Sequence, residues 1–218
     1  MNLGSICFVV IIFATVDMIY GVQSQGGSHI AASMLPDGIR AAKQKGVAHG
    51  FDPEAVYGQI QSGVVKAYRP SLFEKLREHS RIEEQAFLES LRLENLQCLN
   101  SDSKSGQAFW VSTDGNLVAK TIKHSECKTL RKILDSYALH VLSGPSAIGN
   151  VLGLYRVRGR FPGKRYVLVC KNVFPAPGIP CEKFDLKGST VGRLASASSA
   201  VAKDLNVIQN NKQLVVGE

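Results

Sequence analysis

The stretch FDLKGST, residues 184–190, places a lysine directly before a glycine and two hydroxyl residues. A lysine among small residues can contact phosphate, and the best-known pattern is the Walker loop G-x-x-x-x-G-K-[ST], in which a glycine precedes the lysine. Here Lys187 precedes Gly188, and Lys183 stands where the first glycine of that loop is needed. The Walker interpretation is therefore excluded. Considered alone, these residues leave the role of Lys187 open between a functional cation and a solvated loop.

A second group of residues follows a nucleotide-binding order. SKSG, residues 103–106, is a small-residue loop whose backbone amides can approach phosphate oxygens, because glycine lacks a Cβ. Lys120 ends the strand-like LVAK, and Glu126 follows at the start of a predicted helix, where its carboxylate would orient the lysine. An ordinary glycine turn and a solvated lysine are the alternative interpretations.

Three arginines alternate with apolar residues in YRVRGRF, residues 155–161. Strict alternation predicts a strand with Arg156, Arg158 and Arg160 on one face. Such a face, extended by Lys164 and Arg165, suits anionic lipid head groups, for which each basic residue near the surface contributes about 1 kcal/mol. A solvated sheet face is the alternative.

The charge of the chain is unevenly distributed. The net charge is +8, and residues 101–218 hold 17 Lys and Arg against 8 Asp and Glu. This excess favours an anionic partner such as a nucleotide, a nucleic acid or an acidic lipid, although a generally basic surface would give the same count.

Composition excludes several classes of protein. With 218 residues, 44% hydrophobic and 20% charged, the chain is globular and not disordered. Its five cysteines are widely spaced, without a C-x-x-C pair and without clustered histidines, so neither a zinc site nor a disulfide framework is predicted. A reducing compartment follows.

Sequence signals for helices and hairpins around these residues predict an α+β fold with an antiparallel sheet and flanking helices. Capping boxes at Ser71-x-x-Glu74 and Ser80-x-x-Glu83 predict two helix starts. The turn at residues 113–116, TDGN, predicts a hairpin. Ser125 is predicted to cap a helix that ends at Gly144-Pro145. YRVRGRF and YVLVC, residues 166–170, predict a second hairpin.

The N-terminal part divides into two predicted segments. Residues 1–22 include the apolar run ICFVVIIFATV, which is about as long as a signal-peptide core and marginal for a membrane span. A membrane-associated segment, a signal peptide, and a buried strand or artefactual start are the open interpretations. Residues 23–50, rich in Gly, Ser, Ala and Gln, are predicted to be a linker. Residues 51–218 form the predicted functional domain.

Several strings within residues 51–218 resemble the phosphatidylinositol phosphate kinase family: KSGQAFW, LVAKTI, GLYRV, LVCKNVFP and EKFDLKGSTVGRLAS. The DLKGS string is highly specific to that family. The resemblance implies an ATP-dependent lipid kinase of the phosphatidylinositol-4-phosphate 5-kinase type. Its fold is distantly related to that of protein kinases, and residues 51–218 would form its N-terminal lobe.

The resemblance also implies roles for single residues. Those expected to contact ATP are Lys104, Ser105, Gly106, Lys120, Val169, Cys170, Lys171 and Asn172. The first three would cover the phosphates and the last four would contact adenine. Lys187 is the candidate catalytic residue near the phosphates, with Gly188 letting the backbone pass close by. Glu126 remains the expected partner of Lys120, because Lys128 stands where the family often has a second acid.

Other family features are expected beyond these residues. Only 29 residues follow Ser189, and their acids are Asp204 and Glu218. The family's catalytic aspartate in a MDYSLL-like stretch, its metal-binding aspartate for Mg²⁺ and its activation loop are not among them. We therefore expect the metal ligands in a missing C-lobe and little activity from this chain alone. Which inositol hydroxyl is phosphorylated is not indicated by these residues.

The expected partners are a phosphatidylinositol phosphate and an anionic membrane surface that contacts Arg156, Arg158 and Arg160; a homodimer is a further expectation, and no nucleic acid is expected. Because ATP is needed, the expected location is the cytoplasmic face of a membrane, with residues 6–22 as an anchor. The alternative function is a non-catalytic membrane-surface or dimerisation module.

Overall fold

A computed structural model describes seven ranges of the chain: residues 7–11, 31–47, 54–99, 108–160, 163–174, 181–199 and 201–211. The chain divides into two compact units. The larger unit comprises Ile19–Asn172, and the smaller unit combines Met1–Met18 with Val173–Glu218. The division at Asn172 falls inside LVCKNVFP, one of the strings that resemble the kinase family.

The strands are β1 (Cys7–Ile11), β2 (Ala55–Ile60), β3 (Gly63–Tyr68), β4 (Leu96–Leu99), β5 (Phe109–Ser112), β6 (Leu117–Ile122), β7 (Val151–Gly159), β8 (Arg165–Lys171), β9 (Cys181–Asp185) and β10 (Ala202–Lys203). Among the described residues the helices are α1 (Leu35–Val47), α2 (Pro70–His79), α3 (Glu84–Ser90), α4 (His124–Leu142) and α5 (Asp204–Gln209), and Leu93–Asn95 form a 3₁₀ turn.

The larger unit contains a seven-stranded sheet in the order β2-β3-β7-β8-β6-β5-β4, in which every neighbouring pair is antiparallel. This confirms the predicted α+β class. Both predicted hairpins, β5–β6 and β7–β8, are present. At the first turn Gly115 has φ 74°, and the Asp114 carboxylate accepts the backbone N–H of Asn116 at 3.0 Å, which explains the TDGN sequence.

Helices cover both faces of this sheet. On one face, α1 and α3 pack on a core that includes the fully buried Trp110 and Val157. On the other face, α2 and α4 pack on Leu154 and Cys170. The predicted apolar positions of α4 are confirmed, since Cys127, Leu134, Ala138 and Val141 are buried and Leu130 and Tyr137 are partly buried.

The linker prediction for residues 23–50 is wrong for the described part of that segment. Residues 35–47 form α1, which packs on β2 and β3. Two glycines allow this contact. A Cβ on Gly38 would lie 2.1 Å from Cγ2 of Val65, and a Cβ on Gly58 would lie 1.9 Å from the carbonyl oxygen of Gly38. The small residues that suggested a flexible linker instead let a helix lie directly against a strand.

The predicted helix caps are also corrected. Helix α2 begins at Pro70, because proline suits the first helical position, and Ser71 is not its cap. Glu83 caps α3 with its own carboxylate, which accepts the N–H groups of Gln85 and Ala86. Ser80 instead lies at the end of α2, where its hydroxyl accepts a hydrogen bond from Asn150.

The start of α4 differs in the same way. The helix begins at His124, before Ser125, and the carboxylate of Glu126 accepts the N–H of Lys123 at 2.6 Å. In both α3 and α4 an acidic side chain therefore satisfies a free amide at the helix start, as the helix dipole favours.

The smaller unit contains a three-stranded parallel sheet in the order β1-β9-β10, followed by α5. Residues 7–11 of the apolar N-terminal run thus form a strand. Within the described ranges, none of the helices has the length and apolarity needed to cross a bilayer. The parallel pairing was not predicted.

Arg77 links three elements of the larger unit. It is only 4% exposed, and its guanidinium donates to Glu84 at 2.8 Å and to the carbonyl of Leu152 at 2.8 Å. The same group lies 4.6 Å from the centre of the Phe87 ring. Helix α2 is thereby joined to α3 and β7 by a buried charge that donates to both elements.

We predict that Arg77→Ala lowers the free energy of unfolding by about 3–5 kcal/mol, because it leaves the Glu84 carboxylate without its buried partner. Lys75→Ala, at an exposed position of the same helix, is the matched control and should change it by less than about 0.5 kcal/mol. Urea denaturation measures both. Equal effects of the two substitutions would contradict the role assigned to Arg77.

Candidate functional site

Lys120 lies near the end of β6, in the larger unit. Its backbone neighbours are Phe109 on β5 and Leu168 on β8. The side chain is half-buried and lies on the sheet face that α2 and α4 cover, since Leu168 belongs to that core. Its positive charge acts on Cys170: burial raises the pKa of that thiol to about 11, against an opposing effect of the Lys120 ammonium. The lysine is therefore a cation at the border of an apolar cluster.

Glu126 lies in the first turn of α4, four residues after the end of β6. Its position on the helix that follows the lysine strand agrees with the predicted order of the elements. The contact described for its carboxylate is the 2.6 Å hydrogen bond from the N–H of Lys123, which caps the helix. The role of Glu126 as the orienting partner of Lys120 stays a prediction.

Residues 169–172 are fixed by contacts with the first hairpin and with α2. The side chains of Val169 and Cys170 are buried, one in each core. The Lys171 ammonium donates to the carbonyl of Ser80 at 3.2 Å. The Asn172 amide donates to the carbonyl of Gly115 at 2.8 Å. Pairing of β6 with β8 places Val169 beside Lys120, and the segment then runs along β6 to the hairpin turn.

Three of the predicted site residues, Lys104, Ser105 and Gly106, lie outside the described residues. The structure thus places Lys120, Glu126 and residues 169–172 in the larger unit, with Lys120 and residues 169–170 on neighbouring strands. Lys187 belongs to the smaller unit.

The loop that contains Lys187 is held by an aspartate that sequence reasoning did not assign to the site. Oδ1 of Asp204 accepts the backbone N–H of Lys187 at 3.0 Å and that of Gly188 at 2.9 Å. Gly188 has φ 66°, in the left-handed region that favours glycine. Among the described residues no atom lies within 4 Å of a Cβ built on Gly188. The glycine is therefore needed for its backbone conformation, and its close approach to a phosphate stays a prediction.

Arg193 lies between two carboxylates in the same unit. Its guanidinium donates to Oδ2 of Asp204 at 2.8 Å and contacts Oδ2 of Asp185 at 3.1 Å and the carbonyl of Asp185. The Lys187 ammonium lies 3.5 Å from the same Asp185 oxygen. Burial opposes the ionisation of Asp204, but hydrogen bonds from Arg193, Lys187 and Gly188 outweigh it and lower the pKa of Asp204 to about 2.

Neither Asp204 nor Arg193 has a sequence spacing that predicts this contact, since 11 residues separate them. The available signal was that Asp204 is one of only two acids after Ser189 in a basic segment. An isolated acid of this kind is a candidate partner for a buried cation.

Part of the predicted cationic face is present on the larger unit: Arg156 and Arg158 lie on β7, which ends at Gly159 before Arg160, and the structure adds Lys66. Arg156 pairs in register with Lys66 on β3, and Arg158 and Arg160 are exposed. The Lys66 ammonium lies 5.0 Å from the centres of the Tyr57 and Tyr68 rings. Hydrogen bonding to Lys66 is the main cause that lowers the pKa of the Tyr57 hydroxyl. The surface is thus a cationic patch with aromatic side chains within it.

The described residues contain no group of three or more His, Cys, Asp or Glu side chains that could hold a metal ion.

Comparison with known proteins identifies relatives over most of the chain. A family model described as phosphatidylinositol-4-phosphate 5-kinase matches residues 90–218. Phosphatidylinositol 4-phosphate 5-kinase its3 of Schizosaccharomyces pombe is 38% identical over 160 residues, which cover 70% of this chain and 22% of that protein. Phosphatidylinositol 5-phosphate 4-kinase type-2 alpha of Sus scrofa is 33% identical over 193 residues, which cover 87% of this chain and 46% of that protein. The chain thus spans less than half the length of each of these relatives.

We predict that Asp204 stabilises the fold above pH 4 and loses this effect as the pH falls towards 2. The folded-state pKa of about 2 lies below the usual 3.8, so the stabilisation is complete above the unfolded value and disappears below the folded one. The ionised Asp204 carboxylate therefore contributes about 2 kcal/mol to the free energy of unfolding at neutral pH. Urea denaturation of the parent and Asp204→Asn from pH 7 to pH 2.5 should show a difference that shrinks with acid. A difference independent of pH would contradict this assignment.

Proposed function

This chain belongs to the phosphatidylinositol phosphate kinase family, and we propose that it forms the ATP-binding lobe of an enzyme that phosphorylates a phosphatidylinositol phosphate to the bisphosphate. In the reaction an inositol hydroxyl oxygen attacks the γ-phosphorus of ATP and ADP leaves. Such a transfer depends mainly on positioning and on electrostatic stabilisation of the phosphates.

One observation carries this proposal more than any other: Lys120 stands on β6 beside β8, with α4 following directly. A cation at the end of a strand, backed by an apolar cluster, keeps a defined direction because its stem is held by packing. A phosphate group near this ammonium gains a charge-assisted hydrogen bond. We assign to Lys120 the contact with the ATP phosphates.

The contacts of residues 169–172 favour a smaller part in adenine binding than the family resemblance implies. The side chains of Lys171 and Asn172 already donate to the carbonyls of Ser80 and Gly115, and Cys170 is buried. These side chains hold the segment in place. The backbone N–H groups of Lys171 and Asn172 also donate, to the carbonyls of Asn150 and Asn116. We propose that any adenine contact here comes from other main-chain groups of the segment, while Lys104, Ser105 and Gly106 cover the phosphates and Lys187 provides a further phosphate-facing charge.

Mg²⁺, when bound, would offset the negative charge of the ATP phosphates. Among the described residues no cluster of carboxylates suits this ion. In the proposed enzyme this part of the chain therefore binds the nucleotide through ammonium and amide groups, and the metal ligands are supplied by other residues.

The finer type of activity is a further proposal. The relatives include both 4-phosphate 5-kinases and 5-phosphate 4-kinases, at 38% and 32–33% identity in the cases compared. The description of the matching family and the higher identity support the 4-phosphate 5-kinase type.

We propose that the patch formed by Lys66, Arg156, Arg158 and Arg160 contacts an anionic membrane on its cytoplasmic face. Register pairing of Arg156 with Lys66 and the exposure of Arg158 and Arg160 support this, since alternating cations on a flat sheet can approach lipid head groups together. The same patch favours the second candidate function, a non-catalytic membrane-surface module, because lipid contact needs no nucleotide. Homodimer formation stays a prediction.

We predict that Lys120→Ala reduces ATP-competed labelling by 8-azido-ATP at least about tenfold, because the phosphates lose a charged contact. Lys132→Ala, which removes an exposed lysine on α4, is the matched control and should leave labelling unchanged. The parent, Lys120→Ala and Lys132→Ala should all sediment with anionic vesicles to the same extent. Full labelling of the Lys120 variant would count against a nucleotide site at β6.

We predict that the double charge reversal Arg156→Glu and Arg158→Glu weakens binding to vesicles of phosphatidylcholine and phosphatidylserine by about tenfold or more. The effect should shrink as salt is added, since exposed charges are screened. Lys132→Glu alters charge on α4 and serves as the control. If the double variant sediments like the parent at low salt, the patch does not contact membranes.

A further inference from the structure

We propose that Asp204 is a positioning residue for Lys187: its carboxylate fixes the backbone from which that lysine reaches the phosphate, a role that rests on the function proposed above. The residue contacts the loop through main-chain groups, so its influence on a bound phosphate would be exerted through Lys187.

Two consecutive N–H groups converge on one oxygen of Asp204. Those of Lys187 and Gly188 lie 3.0 and 2.9 Å from Oδ1. The backbone changes hand at this point, because Gly188 has φ 66° and Lys187 is not among the residues with positive φ. Successive N–H groups in this arrangement form a concave anion site. Here the anion is a carboxylate of the chain itself, 16 residues along from Gly188.

The second oxygen of Asp204 keeps the carboxylate in that orientation. Oδ2 accepts from Nε of Arg193 at 2.8 Å, and the Arg193 side chain is only 8% exposed. Arg193 also contacts Asp185, whose carboxylate lies 3.5 Å from the Lys187 ammonium. The charges therefore form a chain of ion pairs in which Asp204 contacts Arg193, Arg193 contacts Asp185, and Asp185 contacts the Lys187 ammonium.

Loss of the Asp204 carboxylate would disturb both the backbone and the side-chain ammonium of Lys187. The backbone would lose its two hydrogen bonds, and Arg193 would be left with Asp185 as its only carboxylate partner among those described. The position of the Lys187 ammonium would then change through its backbone and through Asp185. Since charged contacts in phosphoryl transfer depend on placement, a displacement of about 1 Å is enough to weaken them severely.

The two carboxylate oxygens of Asp204 have different partners, so two substitutions can distinguish its effect on the Lys187 loop from its effect on stability. Asp204→Asn keeps a carbonyl oxygen that can accept both N–H groups, but it loses the charge that Arg193 needs. Asp204→Ala loses both. We therefore expect both variants to be less stable, while only the alanine variant loses control of the Lys187 loop. Asn206→Ala is the matched control, because Asn206 makes similar hydrogen bonds to Ala195 and Lys203 and none of these groups belongs to that loop.

The experiment combines two measurements on the full 218-residue chain. ATP and adenosine compete against 8-azido-ATP labelling, which separates the phosphate-dependent part of affinity from the rest. Amide hydrogen exchange followed by NMR reports on the N–H groups of Lys187 and Gly188. For Asp204→Ala we expect about tenfold weaker competition by ATP, unchanged competition by adenosine and at least tenfold faster exchange at both amides. For Asp204→Asn and Asn206→Ala we expect values near those of the parent.

The outcomes are distinguishable. If competition by ATP and by adenosine falls equally in Asp204→Ala, or falls in all three variants in proportion to stability, Asp204 is merely structural and the inference is overturned. If the alanine variant does not fold, the asparagine variant decides: protected amides with parental ATP affinity support the inference, and lost affinity with protected amides overturns it. A parent chain that is not labelled at all overturns the proposed function, and the positioning role falls with it.

Discussion

The antiparallel pairing of β6 with β8 is the constraint on which the candidate site depends. It sets Lys120 opposite Leu168 and brings residues 169–172 to the hairpin turn, where Asn172 is fixed by Gly115. Because helices cover both faces of the sheet, a half-buried lysine on β6 has few directions available to its ammonium. The register of two strands thus determines both the position of the cation and the chain segment beside it.

In the smaller unit, the position of Lys187 depends on ion pairs and not on the register of strands. The buried Arg193 guanidinium needs carboxylate partners, since an unpaired buried charge is very costly. Asp204 and Asp185 meet that need, and through their remaining contacts they also fix the backbone and the ammonium of Lys187. A glycine with positive φ makes this possible, which gives the DLKGS glycine a conformational role.

Features that depend on local chemistry could be predicted from the sequence, and features that depend on distant contacts could not. The TDGN turn and the apolar spacing of α4 are local, and both are confirmed. Helix α1 was missed because its packing depends on Gly38 meeting Val65, 27 positions away, and small residues resemble a linker when their partners are unknown. The contact of Asp204 with Lys187 was missed because no spacing predicts a side chain that binds a loop 17 residues earlier.

The central claim is that the ammonium group of Lys120 contacts the phosphates of ATP. An acyl-phosphate derivative of ATP tests it most directly, because this reagent acylates lysine amines that lie beside the bound nucleotide's phosphates. Mass spectrometry of the treated chain then identifies the modified residues. The account predicts acylation at Lys120 that excess ATP suppresses. Acylation confined to exposed lysines such as Lys132, or acylation of Lys120 that ATP does not suppress, would contradict it.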